Sequence, residues 1–285
     1  MHHRMTEQTE KIAITVVLPV KNEAKNLPRC LEKLHRFAKV YVVDSGSEDA
    51  TQEIATKAGA EVVQFSWDGK FPKKRNWFLQ NYTIPTEWVL FLDADEIIND
   101  EFCNAVDEAI SSGTHVGYWL TFHNWFQGKY LRHGDPFSKL AFFKPSAGCY
   151  ERIDEDMWSH LDMEIHEHPI LDGTLGTIHA PIDHDDRRGL QSYIEKHNEY
   201  ASWEAKRYIA LGPKGSDAWN QLTDRQRKKY SVIETWWFPV AYFFVSFVLK
   251  AGFLDGRAGF VFARMKAQYF KSIRIKINEA RSTST

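Results

Sequence analysis

A chain of 285 residues, 43% hydrophobic and 26% charged, holds enough apolar material for one substantial core and has neither a disordered nor a fibrous composition. The formal net charge of −2 conceals an asymmetry, because residues 225–285 carry twelve Lys/Arg against three Asp/Glu, a net of +9 that leaves −11 on the rest. That basic, aromatic-rich end suits a phospholipid leaflet better than it suits nucleic acid.

The first hundred residues alternate apolar runs with helical patterns, which predicts an α/β fold around a mostly parallel sheet. Strands are expected at Lys11–Val20, Val40–Asp44, Glu61–Phe65 and Trp88–Leu92. Helices are expected at Asn26–Phe37, Glu48–Ala58 and Lys73–Asn81. Alternation from Thr114 to Pro145 predicts antiparallel strands, Cys149–Asp172 reads as a polar loop with strand fragments, and Gly189–Leu211 as a helix ending at a Gly212-Pro-Lys-Gly215 hinge. The cysteines Cys30, Cys103 and Cys149 lack metal-ligand spacing, and no apolar signal segment precedes the first strand. The expectation is a reducing, cytoplasmic compartment with ordinary buried thiols.

In parallel sheets ligands gather beyond the carboxyl ends of the strands. Here those ends are polar: Pro19-Val-Lys-Asn-Glu23, Asp44-Ser-Gly-Ser-Glu-Asp49 and Asp93-Ala-Asp95-Glu96. Two carboxylates at i and i+2 after an apolar strand can hold a hard divalent cation that bridges two phosphates. Asp44 and its neighbouring hydroxyls suit a nucleoside, although Ser47 could equally cap the following helix. Lys73 and Arg75, opening the third helix, could pair with a diphosphate or form a solvated basic face.

The stretches Val17-Leu-Pro-Val-Lys-Asn-Glu23, Val42-Val-Asp-Ser-Gly-Ser-Glu-Asp-Ala-Thr51, Lys74-Arg-Asn76 and Phe91-Leu-Asp-Ala-Asp-Glu96, in that order, resemble glycosyltransferase family 2, whose nucleotide-binding half is a GT-A fold. Ile165-His-Glu-His168, Gly173-Thr-Leu-Gly-Thr-Ile178, His184 and Gly252-Phe-Leu-Asp-Gly256 are similar to the branch containing lipopolysaccharide-core glucosyltransferases and cell-surface polysaccharide enzymes. The resemblance implies a nucleotide-sugar donor, most often UDP-linked, held with Mg²⁺ or Mn²⁺. The sugar then passes with inversion to a saccharide or lipid-linked saccharide acceptor. It further implies Pro19, Val20, Asn22, Glu23, Asp44 and Ser45 around the nucleoside, with Arg75 and Ala94 close by. Asp93 would sit at the ribose or metal and Asp95 would be the principal metal ligand. His184 would be a third ligand, with His179 as its rival. The general base would be Glu167 or, second, Glu164, with Asp162 a weaker third.

No Gln-x-x-Arg-Trp pattern of processive synthases is present, so one transfer per acceptor is expected. A nucleotidyltransferase would carry a Gly-rich loop where Pro19-Val-Lys-Asn-Glu23 stands, and an inactive sugar-nucleotide sensor or membrane scaffold is the alternative from another class. The expected organisation is a catalytic domain over 11–224, with 11–100 facing the nucleotide and 101–224 the acceptor, and a helical, amphipathic, membrane-associating extension over 225–285. Trp236–Leu249 is too short to span a bilayer, whereas Arg257–Lys276 has the pattern of a basic interfacial helix. The expected location is the inner face of the cell membrane, with room for a homo-oligomer.

Overall fold

A computed structural model describes residues 11–135, 137–153, 161–164 and 167–283. The chain begins with β1 (Ile12–Val20), α1 (Leu27–Lys33), β2 (Phe37–Asp44), α2 (Thr51–Lys57), β3 (Glu61–Gln64), α3 (Lys74–Asn81), β4 (Trp88–Phe91), β5 (Glu96–Ile97) and α4 (Asp100–Ser112). It continues through β6 (Gly117–Phe126), β7 (Lys129–Leu131), β8 (Phe137–Phe143), β9 (Gly148–Tyr150), β10 (Pro169–Leu171) and β11 (Leu175–His184). Helices α5 (Gly189–Ala210), α6 (Asp217–Asn220), α7 (Asp224–Val232), α8 (Phe238–Phe244) and α9 (Gly256–Ser282) complete it.

Among the described residues one sheet runs in the order β3-β2-β1-β4-β8-β6-β11-β5, with β7 paired to β6. Its first four strands are parallel, and β8 joins antiparallel to both β4 and β6. The register sets Val20 beside Asp44 and Val17 beside Phe91, so the polar exits of β1, β2 and β4 lie on one edge of the sheet. Strand β1 is buried on both faces, as befits a central parallel strand covered by helices, and Ile14, Val16, Leu18, Leu90 and Phe142 are fully buried in the main core.

Helix α2 starts at Thr51 and not at Glu48, because the Asp49 carboxylate accepts the Thr51 N–H at 3.0 Å and the Ala24 N–H at 3.1 Å, which holds the preceding residues in a turn. Phe37 opens β2 and does not end the first helix. Helix α4 and strand β11 were not foreseen. The α4 signals were local: Asn99 accepts the Phe102 N–H at 2.8 Å as N-cap, and Gly113 closes the helix at φ 63°. Cys30 and Cys103 are buried, but Cys149 is exposed on β9, contrary to expectation.

The chain divides into two compact units, Met1–His123 with Phe137–Asp185 and Asn124–Pro136 with Asp186–Thr285. Residue 225, the expected start of a separate tail, falls inside the second unit. There α9 is an internal element: Ile273 and Ile277 are fully buried with Ala201 and Ala205 of α5, Trp219 and Tyr230, while Phe262 packs with Phe126 and Leu131. The stripe read from the sequence as facing lipid is thus largely spent on protein.

In the same unit His197 stacks on Tyr193 at 3.8 Å, donates from Nδ1 to the Tyr193 carbonyl at 2.8 Å, and meets Tyr269 edge-on. Burial and then the nearby Lys266 pull its pKa down to about 4. Between that value and the unfolded value near 6.5 the unfolded chain binds the extra proton, so stability falls as pH drops through this window. Lowering the pH from 7 to 5 is expected to cost on the order of 1 kcal/mol, discounted for the ring's partial exposure, and His197→Phe should flatten that dependence in thermal melts.

Candidate active site

The loops leaving β1 and β2 are laced together by hydrogen bonds. Asn22, held at φ 56°, donates its N–H to Ser47 Oγ at 2.8 Å, and its side-chain oxygen accepts the Glu48 N–H at 2.8 Å. The Glu23 N–H meets Thr51 Oγ1 at 2.8 Å. Asp44 is fully buried and accepts from the Ser47 N–H and hydroxyl and from Gln52 Nε2. Its carboxylate therefore shapes the Asp44-Ser-Gly-Ser turn, with Gly46 at φ 70° completing the reversal. Ser45 donates to Asp162 at 2.6 Å, Lys74 lies 3.3 Å from the same Asp162 oxygen, and Lys74 Nζ also reaches the Val20 carbonyl at 3.2 Å. Pro19, Val20, Asn22, Glu23, Asp44 and Ser45 thus form one connected rim.

At the exit of β4 the two aspartates have different partners. Asp93 receives Arg75 on one oxygen at 2.9 Å and Lys139 on the other at 2.5 Å, and Lys139 also reaches the buried Glu96. Burial opposes ionisation of Asp93, yet Lys139 and Arg75 outweigh it and hold its carboxyl well below the usual range, while burial pushes Glu96 upward. Asp93 and Glu96 are tied further by the Asp93 N–H to Glu96 Oε2 at 2.9 Å.

Asp95 instead faces His184, with 3.6 Å between its oxygen and the imidazole Nε2. Strand β11 delivers that histidine: His184 pairs with Glu96 of β5 in register, and the Asp185 N–H bonds the Asp95 carbonyl at 2.8 Å. Burial works against a charged His184, but Asp95 prevails and raises its pKa above the ordinary value. The rival His179 is exposed further back on β11. Ala94 is buried in the core between the two aspartates.

The two candidate bases also part company. Both oxygens of Glu164 are taken by the first turn of α3, from the Arg75 N–H at 2.8 Å and the Asn76 N–H at 2.9 Å, and the Arg75 guanidinium binds the Glu164 carbonyl. A carboxylate satisfying orphan amides at a helix N-terminus is a structural anchor. Glu167 is buried against Lys73 at 2.7 Å, beside Trp67, Phe71 and Glu151, so Lys73 pairs with Glu167 and Arg75 with Asp93. Ile165 and His166, between the two glutamates, lie outside the described residues.

Lys139, Asp185 and Arg29 escaped the sequence reading. Lys139 stands directly before the buried apolar run Leu140-Ala-Phe-Phe143, a signal that could have drawn attention, and the Arg29–Asp185 pair joins α1 to the end of β11. Among the described residues no three His, Cys, Asp or Glu side chains are grouped so as to hold a metal by themselves.

The chain is similar to known glycosyltransferases. An uncharacterized glycosyltransferase of Rickettsia conorii is 26% identical over 263 residues, 89% of this chain and 84% of that protein. The lipopolysaccharide core biosynthesis glycosyltransferase LpsC of Rhizobium meliloti is 21% identical, covering 91% of this chain and 89% of LpsC. The crystal structure of S. aureus TarS 1–349 covers 95% of this chain and 92% of its own, at 14% identity and a TM-score of 0.42. The family described as Glycosyl transferase family 2 matches residues 15–163, more than half of the chain and the exits of β1, β2 and β4, and the protein belongs to that family.

Proposed function

We propose that this glycosyltransferase moves a sugar with inversion from a nucleotide-sugar donor, UDP-linked, to a hydroxyl of a lipid-linked or lipopolysaccharide-type saccharide, once per acceptor, at the inner leaflet of the cell membrane. The observation that carries the reading is the convergence of the β1, β2 and β4 exits, with Asp95 set opposite His184 at 3.6 Å. The name of the Rhizobium relative supports the class of acceptor.

In this reading the rim from Pro19 to Ser45 receives the nucleoside, and the Asp93–Arg75–Lys139 cluster faces the ribose and diphosphate. Asp95 would hold a Mg²⁺ or Mn²⁺ ion, since such an ion is commonly bound through one or two carboxylates together with phosphate oxygens and water, and His184 would join it as a ligand to Mn²⁺ more readily than to Mg²⁺. Asp93 fits that role poorly, because both its oxygens already serve cations. When bound, the ion supplies positive charge that offsets the charge developing on the diphosphate. The acceptor oxygen bonds to the anomeric carbon as the bond to the diphosphate breaks. The acceptor's proton passes to Glu167, which Lys73 orients, and Arg75 and Lys139 add to the positive field at the leaving group.

The test is a thermal-shift screen of UDP-, GDP- and dTDP-sugars with and without Mn²⁺. UDP-sugars should stabilise the protein only with the ion present, by about 2.7 kcal/mol at a hundredfold excess over Kd. Equal stabilisation by all nucleotides, or by none, would overturn the donor assignment.

A further inference from the structure

Among the described residues no single helix is long and apolar enough to cross a membrane, and the helical run Phe238–Leu249 meets Gly252–Ser282 at a bend of 74°. Trp236 to Leu249 contains no charged residue. Helix α8 passes into a π turn over Val245–Leu249, closed by the Lys250 N–H on the Val245 carbonyl at 2.8 Å. The bend itself is pinned. A Cβ on Gly252 would lie 2.8 Å from the Ser246 carbonyl, the Gly134 N–H bonds the Lys250 carbonyl at 2.9 Å, and the buried Asp255 carboxylate accepts the N–H groups of Arg132 and His133 at 3.0 and 2.8 Å.

On this fixed support the apolar side chains divide into two sets. Phe243, Phe247 and Phe260 pack on one another with ring centroids 5.5 to 5.7 Å apart. Trp236, Val240, Phe244 and Val248, spaced by four, face outward at 72, 52, 56 and 48% exposure, and Leu249, Phe253 and Leu254 extend the ridge at the bend. A contiguous apolar face of this kind on a soluble surface marks an interaction site. Charge identifies the partner: between Glu234 and Glu279 there are seven Lys/Arg and a single acidic residue, the buried Asp255. A second copy docked on the same face would bring these cations against their own counterparts. An anionic lipid surface complements both the apolar ridge and the exposed Lys250 and Arg257 that border its bend.

We propose that the ridge from Trp236 to Leu254 seats in the interfacial layer of an anionic leaflet, and that α9 is the internal strut behind it. This rests on the reading that the enzyme works at a leaflet, and it names the element that makes the contact. The experiment is flotation of the full chain with vesicles of phosphatidylcholine alone or with about one-third phosphatidylglycerol. Wild type should float with the anionic vesicles. Val240→Ser, Phe244→Ser and Val248→Ser combined should lower the bound fraction at least about tenfold, with melting temperature and turnover on a soluble acceptor retained. Ile275→Ser, at an exposed position of α9, should float as wild type does. Failure of wild type to float would overturn the leaflet reading itself. Unchanged flotation of the triple variant would overturn only the ridge assignment, as would a wild-type dimer that the triple substitution turns into a monomer without altering vesicle binding.

Discussion

Asp95→Asn should reduce transfer by about a thousandfold or more while leaving the protein folded. The substitution keeps the shape of the side chain at the β4 exit and removes the charge that faces His184. It leaves the Asp95 carbonyl, which accepts the Asp185 N–H, in place, so the joint between β5 and β11 survives. The specific signature is the loss of Mn²⁺-dependent stabilisation by UDP-sugar, read by thermal shift beside the activity assay. A folded Asp95→Asn protein that transfers sugar at the wild-type rate would remove Asp95 from the proposed metal set.

The second large effect separates Glu164 from Glu167. Glu167→Gln should lower turnover by roughly a hundredfold, the scale of a lost general base, with donor affinity nearly unchanged. Glu164→Gln should act on the fold instead. Its carboxylate holds two N–H groups at the start of α3, and the neutral amide keeps only one acceptor for them, a loss of about 1.5–3 kcal/mol. Turnover of the folded fraction should fall less than about tenfold. Denaturant unfolding and steady-state kinetics on both variants distinguish the roles, and a rate lost in Glu164→Gln but kept in Glu167→Gln would transfer the base to Glu164.

The strand exits were legible because apolar runs such as Val89-Leu-Phe-Leu92 end abruptly in carboxylates, and a parallel sheet puts such ends on one edge. What answers those carboxylates was not legible. Lys139 reaches Asp93 only because β8 enters antiparallel beside β4, and His184 reaches Asp95 only because β11 pairs with β5, across 89 residues of chain. The anchoring role of Glu164 depends on a loop returning to α3, which no local pattern encodes. The basic stripe of α9 is ambiguous for another reason: an amphipathic helix with a cationic outer face has the same periodicity whether its inner face meets lipid or α5. The π turn and pinned bend that lift the Trp236–Leu254 face outward have no periodic signature at all.

The anchoring of α3 by Glu164 also bears on how the chain is made. The first hundred residues contain the parallel strands β1 to β4, yet the N-terminus of α3 finds its acceptor at residue 164 and β4 gains its outer neighbour only at β8. A nascent chain halted near residue 100 would present the open edge of β4, with Trp88 to Phe91 and their unpaired amides, to chaperones or to other chains. The first hundred residues are therefore not a separable folding unit, and dissection of the enzyme should begin no earlier than the close of β11.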